Sequence, residues 1–136
     1  MSPHFIPAAL AAIALTACAA PAMTQPGDLV TGDYGGEHVG LSLDAEGGRL
    51  EYDCASGTID GPLTTDSLGR FSVTGRHTPG EGGPDRVGDA PRSWPARYLG
   101  QARGDILTLR VEVEGAASPG AFRLTRDAAP MLLRCL

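Results

Sequence analysis

The sequence contains no lysine and no asparagine, and only seven of its 136 residues are aromatic: one Trp, three Tyr and three Phe. Its eleven basic residues, all arginine, face sixteen acidic ones, and the net charge of −5 excludes a basic nucleic-acid-binding domain. Outside the N-terminus no apolar run approaches the length of a membrane span, which excludes a polytopic membrane protein. No helical stripe appears there either, which excludes a coiled coil. The length suits one domain rather than a multi-domain enzyme.

Glycine and proline are abundant instead, with 19 and 11 residues. This composition favours turn-rich β structure over helices, since both residues interrupt helices. The pattern of apolar and polar residues predicts eight strands, six of them with clear period-two alternation. They are expected at residues 39–44, 50–54, 59–63, 70–74, 96–103, 106–114, 121–126 and 131–136. Short connections join most of them, which predicts an all-β fold: a small antiparallel up-and-down barrel of about eight strands, filled by its inward side chains.

The N-terminus has the features of an export signal. Residues 5–15 are apolar, a stretch too short to span a bilayer but typical of a signal-peptide core. The tetrad Leu15-Thr16-Ala17-Cys18 that follows resembles the lipobox of bacterial lipoproteins. The expected organisation is a signal peptide (1–17), a lipidated N-terminus with a short linker (18–28) and a barrel domain (29–136).

The lipobox resemblance implies that Cys18 becomes the lipidated mature N-terminus and binds the membrane through several acyl chains. Ala19 at the next position implies the outer membrane, facing the periplasm, if the source has two membranes. The alternative is a secreted or periplasmic protein, because Ala20-Pro21-Ala22 matches the pattern cut by ordinary signal peptidase.

The two remaining cysteines, Cys54 and Cys135, are expected to form one disulfide in an oxidising compartment. In the predicted strand order they lie at the same rim on strands about 10 Å apart, with the first strand between them. A disulfide does not span that distance. The first strand is therefore expected to begin past the rim, so that the disulfide closes this end of the barrel.

Residues 77–95 contain four glycines and four prolines and have no periodicity. A connection this long in a compact domain is usually functional or disordered. Arg92 and Trp94 are the residue types that anchor protein interfaces, so these two, with His77, are candidates for binding an envelope protein partner. The alternative is that Trp94 only covers a barrel mouth.

The sequence predicts no catalytic residue, metal site or cofactor. Only His38 and His77 remain after processing, without the spacing of metal ligands, and no nucleophile elbow is present.

Charge is uneven along the sequence, with nine acids and one arginine in residues 28–66 against seven acids and ten arginines in residues 67–136. The two halves either neutralise each other in the folded barrel or leave an acidic face that steers a cationic partner.

Three further resemblances bear on function. Gly32-Asp33-Tyr34 resembles the G-x-W opening of calycin-type barrels, which implies a carrier of a small apolar ligand. Tyr52-Asp53-Cys54 with a terminal Cys135 resembles the bacterial C-type lysozyme inhibitors, small lipoprotein barrels with one disulfide. The layout G-G-x-H … D-C-A-x-G, here residues 35–38 and 53–57, resembles a group of small envelope lipoproteins without an assigned activity. The sequence favours a non-catalytic protein-binding or inhibitor-like module, with the carrier and the lysozyme inhibitor as alternatives.

Overall fold

The computed structural model describes residues 2–4, 14, 16–17, 27–80 and 92–135. Cys18 and the middle of the 77–95 connection lie outside these ranges. Ten strands are present in the described chain. They are β1 (Asp28–Leu29), β2 (Gly32–Gly36), β3 (Val39–Leu43), β4 (Gly47–Tyr52), β5 (Ala55–Asp60), β6 (Thr64–Thr65), β7 (Arg70–Pro79), β8 (Trp94–Arg103), β9 (Ile106–Val113) and β10 (Gly120–Arg126). Among the described residues, no helix is long and apolar enough to cross a bilayer.

Eight of these strands form a closed antiparallel barrel in the order β10-β2-β3-β4-β5-β7-β8-β9. Each barrel strand pairs with the next one along the chain, and β10 closes on β2. The predicted all-β, up-and-down barrel of eight strands is confirmed. Because the strands alternate in direction, every second connection lies at the same end of the barrel.

The membership of the barrel differs from the prediction at both ends of the chain. β2 was not expected, since its sequence Gly32-Asp33-Tyr34-Gly35-Gly36 offers only one large apolar side chain and hence no visible alternation. The expected strand at 131–136 is absent among the described residues, where Met131 makes only an isolated parallel bridge to Glu37. The total of eight is right because one strand was missed and another was wrongly added. The strand expected at 59–63 is also misplaced, since β5 runs from Ala55 to Asp60 and Leu63 lies in the connection after it.

The long connection is also shorter than predicted. β7 continues through His77 to Pro79, and β8 begins at Trp94, where His77 and Trp94 are paired across the two strands. The two strands therefore leave residues 80–93 between them, of which 81–91 lie outside the described residues. The prolines made the strand ends hard to predict, because Pro79 is the last residue of β7 and Pro95 is the second residue of β8, and proline is tolerated only near strand ends.

The barrel interior is occupied by large apolar side chains, as predicted. The largest that are fully buried are Tyr98, Leu50, Leu63, Leu107, Leu109, Leu124, Val39 and Val111. Tyr98 on β8 lies over the inner face of β7 and donates a hydrogen bond of 2.7 Å to the carbonyl of Arg76. Gly57 and Gly75 make room for this ring, since a Cβ on Gly75 would lie 2.9 Å from Tyr98 Cε2.

The small sheet of β1 and β6 lies outside the ladder of the barrel and extends its core at one end. Val30 and Leu63, which flank these strands, are buried in the same cluster as the barrel interior. The Val30 amide bonds to the Leu63 carbonyl at 2.9 Å. This end of the barrel is therefore covered by apolar side chains from the β5–β7 connection and from the segment that leads into β2.

Candidate functional site

The opposite end of the barrel, here called the disulfide end, carries the connections at residues 37–38, 53–54, 80–93 and 114–119. It brings together Cys54, Cys135 and several other residues that the sequence singled out. The last described segment, residues 127–135, also reaches this end and is here called the strap. The strap has no regular strand structure beyond its bridge at Met131.

The strap turns back from the end of β10 and runs along the outside of the barrel. Asp127 adopts a positive φ of 58°, and its amide bonds to the Asp33 carbonyl at 2.8 Å. Residues 128–130 then cross Gly35 and Gly40, whose missing side chains leave the space that the strap occupies. A Cβ on Gly40 would lie 3.1 Å from the ring of Pro130, and one on Gly35 would overlap the strap backbone.

Two backbone hydrogen bonds hold the middle of the strap against the β2–β3 turn. The Met131 amide donates to the Gly36 carbonyl at 3.0 Å, and the His38 amide donates to the Met131 carbonyl at 2.8 Å. His38 has a positive φ of 66°, which directs its amide toward the strap. Such backbone pairing fixes the position of the strap without requiring burial of its side chains.

The predicted disulfide between Cys54 and Cys135 is present and fastens the end of the strap to the β4–β5 turn. Its Cα atoms are 5.2 Å apart, although 81 residues separate the cysteines in sequence. The disulfide lies at the predicted end of the barrel, but it does not join two strands over a third. It joins the turn at Cys54 to a strap that passes outside the β2–β3 turn.

Asp53 supports the same attachment from the neighbouring position. Its Oδ1 accepts a hydrogen bond of 2.6 Å from the Leu133 amide, and its Oδ2 contacts the Nδ1 atom of His38. One carboxylate therefore links the β2–β3 turn, the β4–β5 turn and the strap. The Cys54 carbonyl also accepts a hydrogen bond of 2.6 Å from Gly80, which anchors the start of the 80–93 connection at the disulfide.

This arrangement explains the G-G-x-H … D-C-A-x-G layout in physical terms. Gly35 leaves space for the strap, His38 turns the chain, Asp53 bonds to the strap and Cys54 is crosslinked to it. Gly57 gives room to the Tyr98 hydroxyl. The layout is visible in the sequence but its structural role is not, because no periodicity marks a segment that packs through glycines and backbone hydrogen bonds.

The strap leaves two large apolar side chains in solvent. Met131 is 60% exposed and Leu133 is 64% exposed, the two highest values among the large hydrophobic residues of the described chain. They lie two positions apart on a segment whose backbone is held at both ends. A shallow groove runs between the strap and the β4–β5 hairpin, lined by residues such as Glu51, Ser56, Leu132 and Arg134.

The interior beneath the disulfide end contains polar aromatic groups. The Tyr52 hydroxyl and His77 Nδ1 are buried and have no hydrogen-bond partner among the described residues. The Tyr52 ring lies 5.7 Å from that of His77 and 5.5 Å from that of Phe122, measured between centroids. Burial lowers the pKa of His77 and raises that of Tyr52, because both charged forms lose hydration. Burial also raises the pKa of Tyr98 to about 12.

The three predicted partner-binding residues are not equivalent in the structure. Arg92 is exposed at the edge of the described region, and Trp94 is half-buried as the first residue of β8, with its ring against Gly115. Both lie at the disulfide end. His77 points into the barrel and is only 4% exposed, so its side chain does not belong to the outer surface there.

Within the described ranges, no group of three or more His, Cys, Asp or Glu side chains is arranged to hold a metal ion. No family model, curated protein or solved structure matches the chain. The geometry of the strap is therefore the basis for a functional hypothesis.

Proposed function

We propose that this chain is an exported, lipid-tethered envelope protein that binds another protein without catalysis, with the strap as its contact surface. The observation that carries the proposal is the exposure of Met131 and Leu133 on a segment fixed by the disulfide. A surface that is already ordered loses little conformational entropy on binding, which favours affinity. Inhibition of an envelope enzyme is one form that such binding takes.

The surroundings of the strap support a protein partner. Exposed apolar side chains within a polar rim are typical of interface cores. Leu133 lines the groove beside the strap together with Arg134 and Glu51, which supply such a rim. Arg92 and Trp94 lie at the same end of the barrel and extend the candidate surface.

The export part of the proposal is supported by the lipobox-like tetrad that ends at Cys18 and by the disulfide itself. A disulfide between Cys54 and Cys135 is typical of an oxidising compartment. The filled interior gives no support to a carrier of a small apolar ligand, because Tyr98, Leu50 and Leu107 occupy the space such a ligand would need.

The test is site-specific photo-crosslinking in intact cells of the source organism. A photoreactive amino acid at position 133 is expected to capture one defined protein, and Met131→Ser in the same chain should weaken that capture at least fivefold. The matched control carries the photoreactive residue at position 68, since Leu68 is 57% exposed at the other end of the barrel. Equal products from positions 133 and 68, or capture unaffected by Met131→Ser, would contradict the proposal.

A further inference from the structure

Charge is separated between two walls of the barrel. Residues 28–66, which form β1 to β6, contain nine acids and one arginine, while the described residues between 67 and 126, which include β7 to β10, contain three acids and eight arginines. Of the four ion pairs among described residues, only Asp66–Arg70 joins the two groups, and its residues are four positions apart. The halves therefore do not neutralise each other through direct contacts across the barrel.

Four arginines form a diagonal row across the basic wall. Arg76 on β7, Arg97 on β8, Arg110 on β9 and Arg123 on β10 all point outward and are exposed. The register pairs Arg76 with Pro95, Arg97 with Glu112 and Arg110 with Ala121, so each arginine is two residues from the partner of the previous one. Diagonal neighbours of this kind have Cβ atoms about 7–8 Å apart, which gives a row of roughly 20–25 Å. We call these four residues the arginine diagonal.

Most of this positive charge is not neutralised locally. The guanidinium of Arg76 bonds to the Ser93 hydroxyl at 2.7 Å and to the Ser93 carbonyl at 2.9 Å, both neutral acceptors. Glu112 forms an ion pair of 2.9 Å with Arg110, but both side chains are largely exposed. Such an exposed pair contributes little stability and leaves the guanidinium available. Within the described chain, no carboxylate lies within ion-pair distance of Arg97 or Arg123.

The arginine diagonal spans β7 to β10 and is centred on β8 and β9, while the strap contacts β2, β3 and the β4–β5 turn. The two surfaces adjoin where β10 pairs with β2, but their centres lie on opposite sides of the closed barrel. A body with one basic and one acidic wall is oriented by a charged surface. When the barrel presents the arginine diagonal to an anionic surface, Met131 and Leu133 are directed away from that surface.

The length of chain before the barrel determines which anionic surface is within reach. Eight residues, 19–26, separate Cys18 from Gly27, the first described residue of the domain. Fully extended they span about 30 Å at most, so a lipid on Cys18 would keep the barrel beside the headgroups of its own membrane. Basic side chains near an anionic bilayer contribute favourably to binding, by about fivefold in affinity for each arginine.

We infer that the arginine diagonal is a docking surface for anionic phospholipid headgroups, which orients the tethered barrel with its strap facing away from the membrane. The inference rests on the proposed tether at Cys18 for its biological setting. The binding surface itself is independent of the lipid and can be measured without it.

The test uses the full chain with Cys18→Ser, which removes the thiol that would carry lipid. Binding to vesicles of phosphatidylcholine with about a third phosphatidylglycerol is compared with binding to phosphatidylcholine alone, at salt concentrations from about 20 to 500 mM. The expected result is binding only to the anionic vesicles, weakening steadily as salt increases. Arg97→Gln, Arg110→Gln and Arg123→Gln together should lower the partition coefficient about a hundredfold.

The matched control replaces three exposed arginines outside the arginine diagonal, Arg70, Arg103 and Arg134, with glutamine and removes the same charge. It should lower the partition coefficient less than tenfold. Absence of binding at low salt, equal binding to neutral vesicles, or an equal loss in both triple variants would overturn the inference. The inference would also be overturned if the diagonal variant still bound vesicles but no longer captured the protein crosslinked from position 133. The arginine diagonal would then bind an acidic protein.

Failure here is distinguishable from failure of the proposed function. Met131→Ser and Leu133→Ser leave the arginine diagonal intact and are expected to leave vesicle binding unchanged. The diagonal variant is expected to keep the crosslink at position 133.

Discussion

At the scale of single residues, glycines decide where two segments of backbone can lie against each other. A Cβ on Gly35 would overlap the strap, one on Gly75 would overlap the Thr58 carbonyl, and one on Gly100 would overlap the Thr108 carbonyl. The abundance of glycine predicts many turns, and this prediction is confirmed at Gly104, which lies in the turn between β8 and β9. The glycines within strands serve close packing instead, and composition alone does not separate the two uses.

Gly75→Ala is expected to lower the free energy of unfolding by about 1–3 kcal/mol, because the added methyl group must displace the Tyr98 ring and the β5 backbone. The measurement is a urea denaturation curve. Ser72→Ala, an exposed position on the same strand, is the control and should stay within about 0.5 kcal/mol of the wild type. Equal effects of the two substitutions would mean that Gly75 is not sterically constrained.

His77 makes the stability of the barrel depend on pH. Burial lowers its folded-state pKa below the unfolded value near 6.5, so the unfolded chain takes up the proton first as pH falls. Above that unfolded pKa the imidazole is uncharged in both states, so His77 adds no pH dependence to the free energy of unfolding. As pH falls below it, the folded state loses stability. Melting temperatures measured from pH 7.5 to 5 should therefore decrease more steeply in the wild type than in His77→Phe. The same slope in both proteins would contradict this role of the buried imidazole.

At the scale of elements, the sequence pattern succeeded where each strand has one apolar and one polar face. β9 alternates through Leu107, Leu109 and Val111 and was predicted within one residue of its bounds. β2 has only Tyr34 facing the core, while its outer face is covered by the strap over Gly35. The strap itself alternates like a strand, yet Met131 and Leu133 are exposed, since its order comes from a disulfide and from backbone hydrogen bonds.

The strap provides a prediction at this scale. Replacing Cys54 and Cys135 together with serine should lower the free energy of unfolding by about 2–5 kcal/mol, since a crosslink across 81 residues restricts the unfolded chain. Far-ultraviolet circular dichroism should keep its β signal, because the eight-strand ladder does not include the strap. Hydrogen exchange should become faster at the amides of Met131 and Leu133. Unchanged exchange at these amides would show that the disulfide does not hold the strap.

At the scale of the whole molecule, the count of charges in the sequence predicted an uneven distribution but left its meaning open. The closed barrel places the two groups on different walls, and the observed ion pairs leave them largely unneutralised across the barrel. The candidate site was predicted only in part. The cysteine pair and the barrel end followed from residue spacing, while the course of the strap depends on contacts between segments about 90 residues apart.

The proposed function depends most on the export of the chain from the cytosol and its attachment to lipid at Cys18. The most direct measurement is the intact mass of the protein purified from its own cells, before and after reduction with thiol labelling. We expect a chain that begins at residue 18 and carries a diacylglyceryl group and an acyl chain, with no thiol reactive before reduction and two reactive afterward. A mature chain that begins at residue 23 without lipid, or one that keeps residues 1–17, would contradict the account.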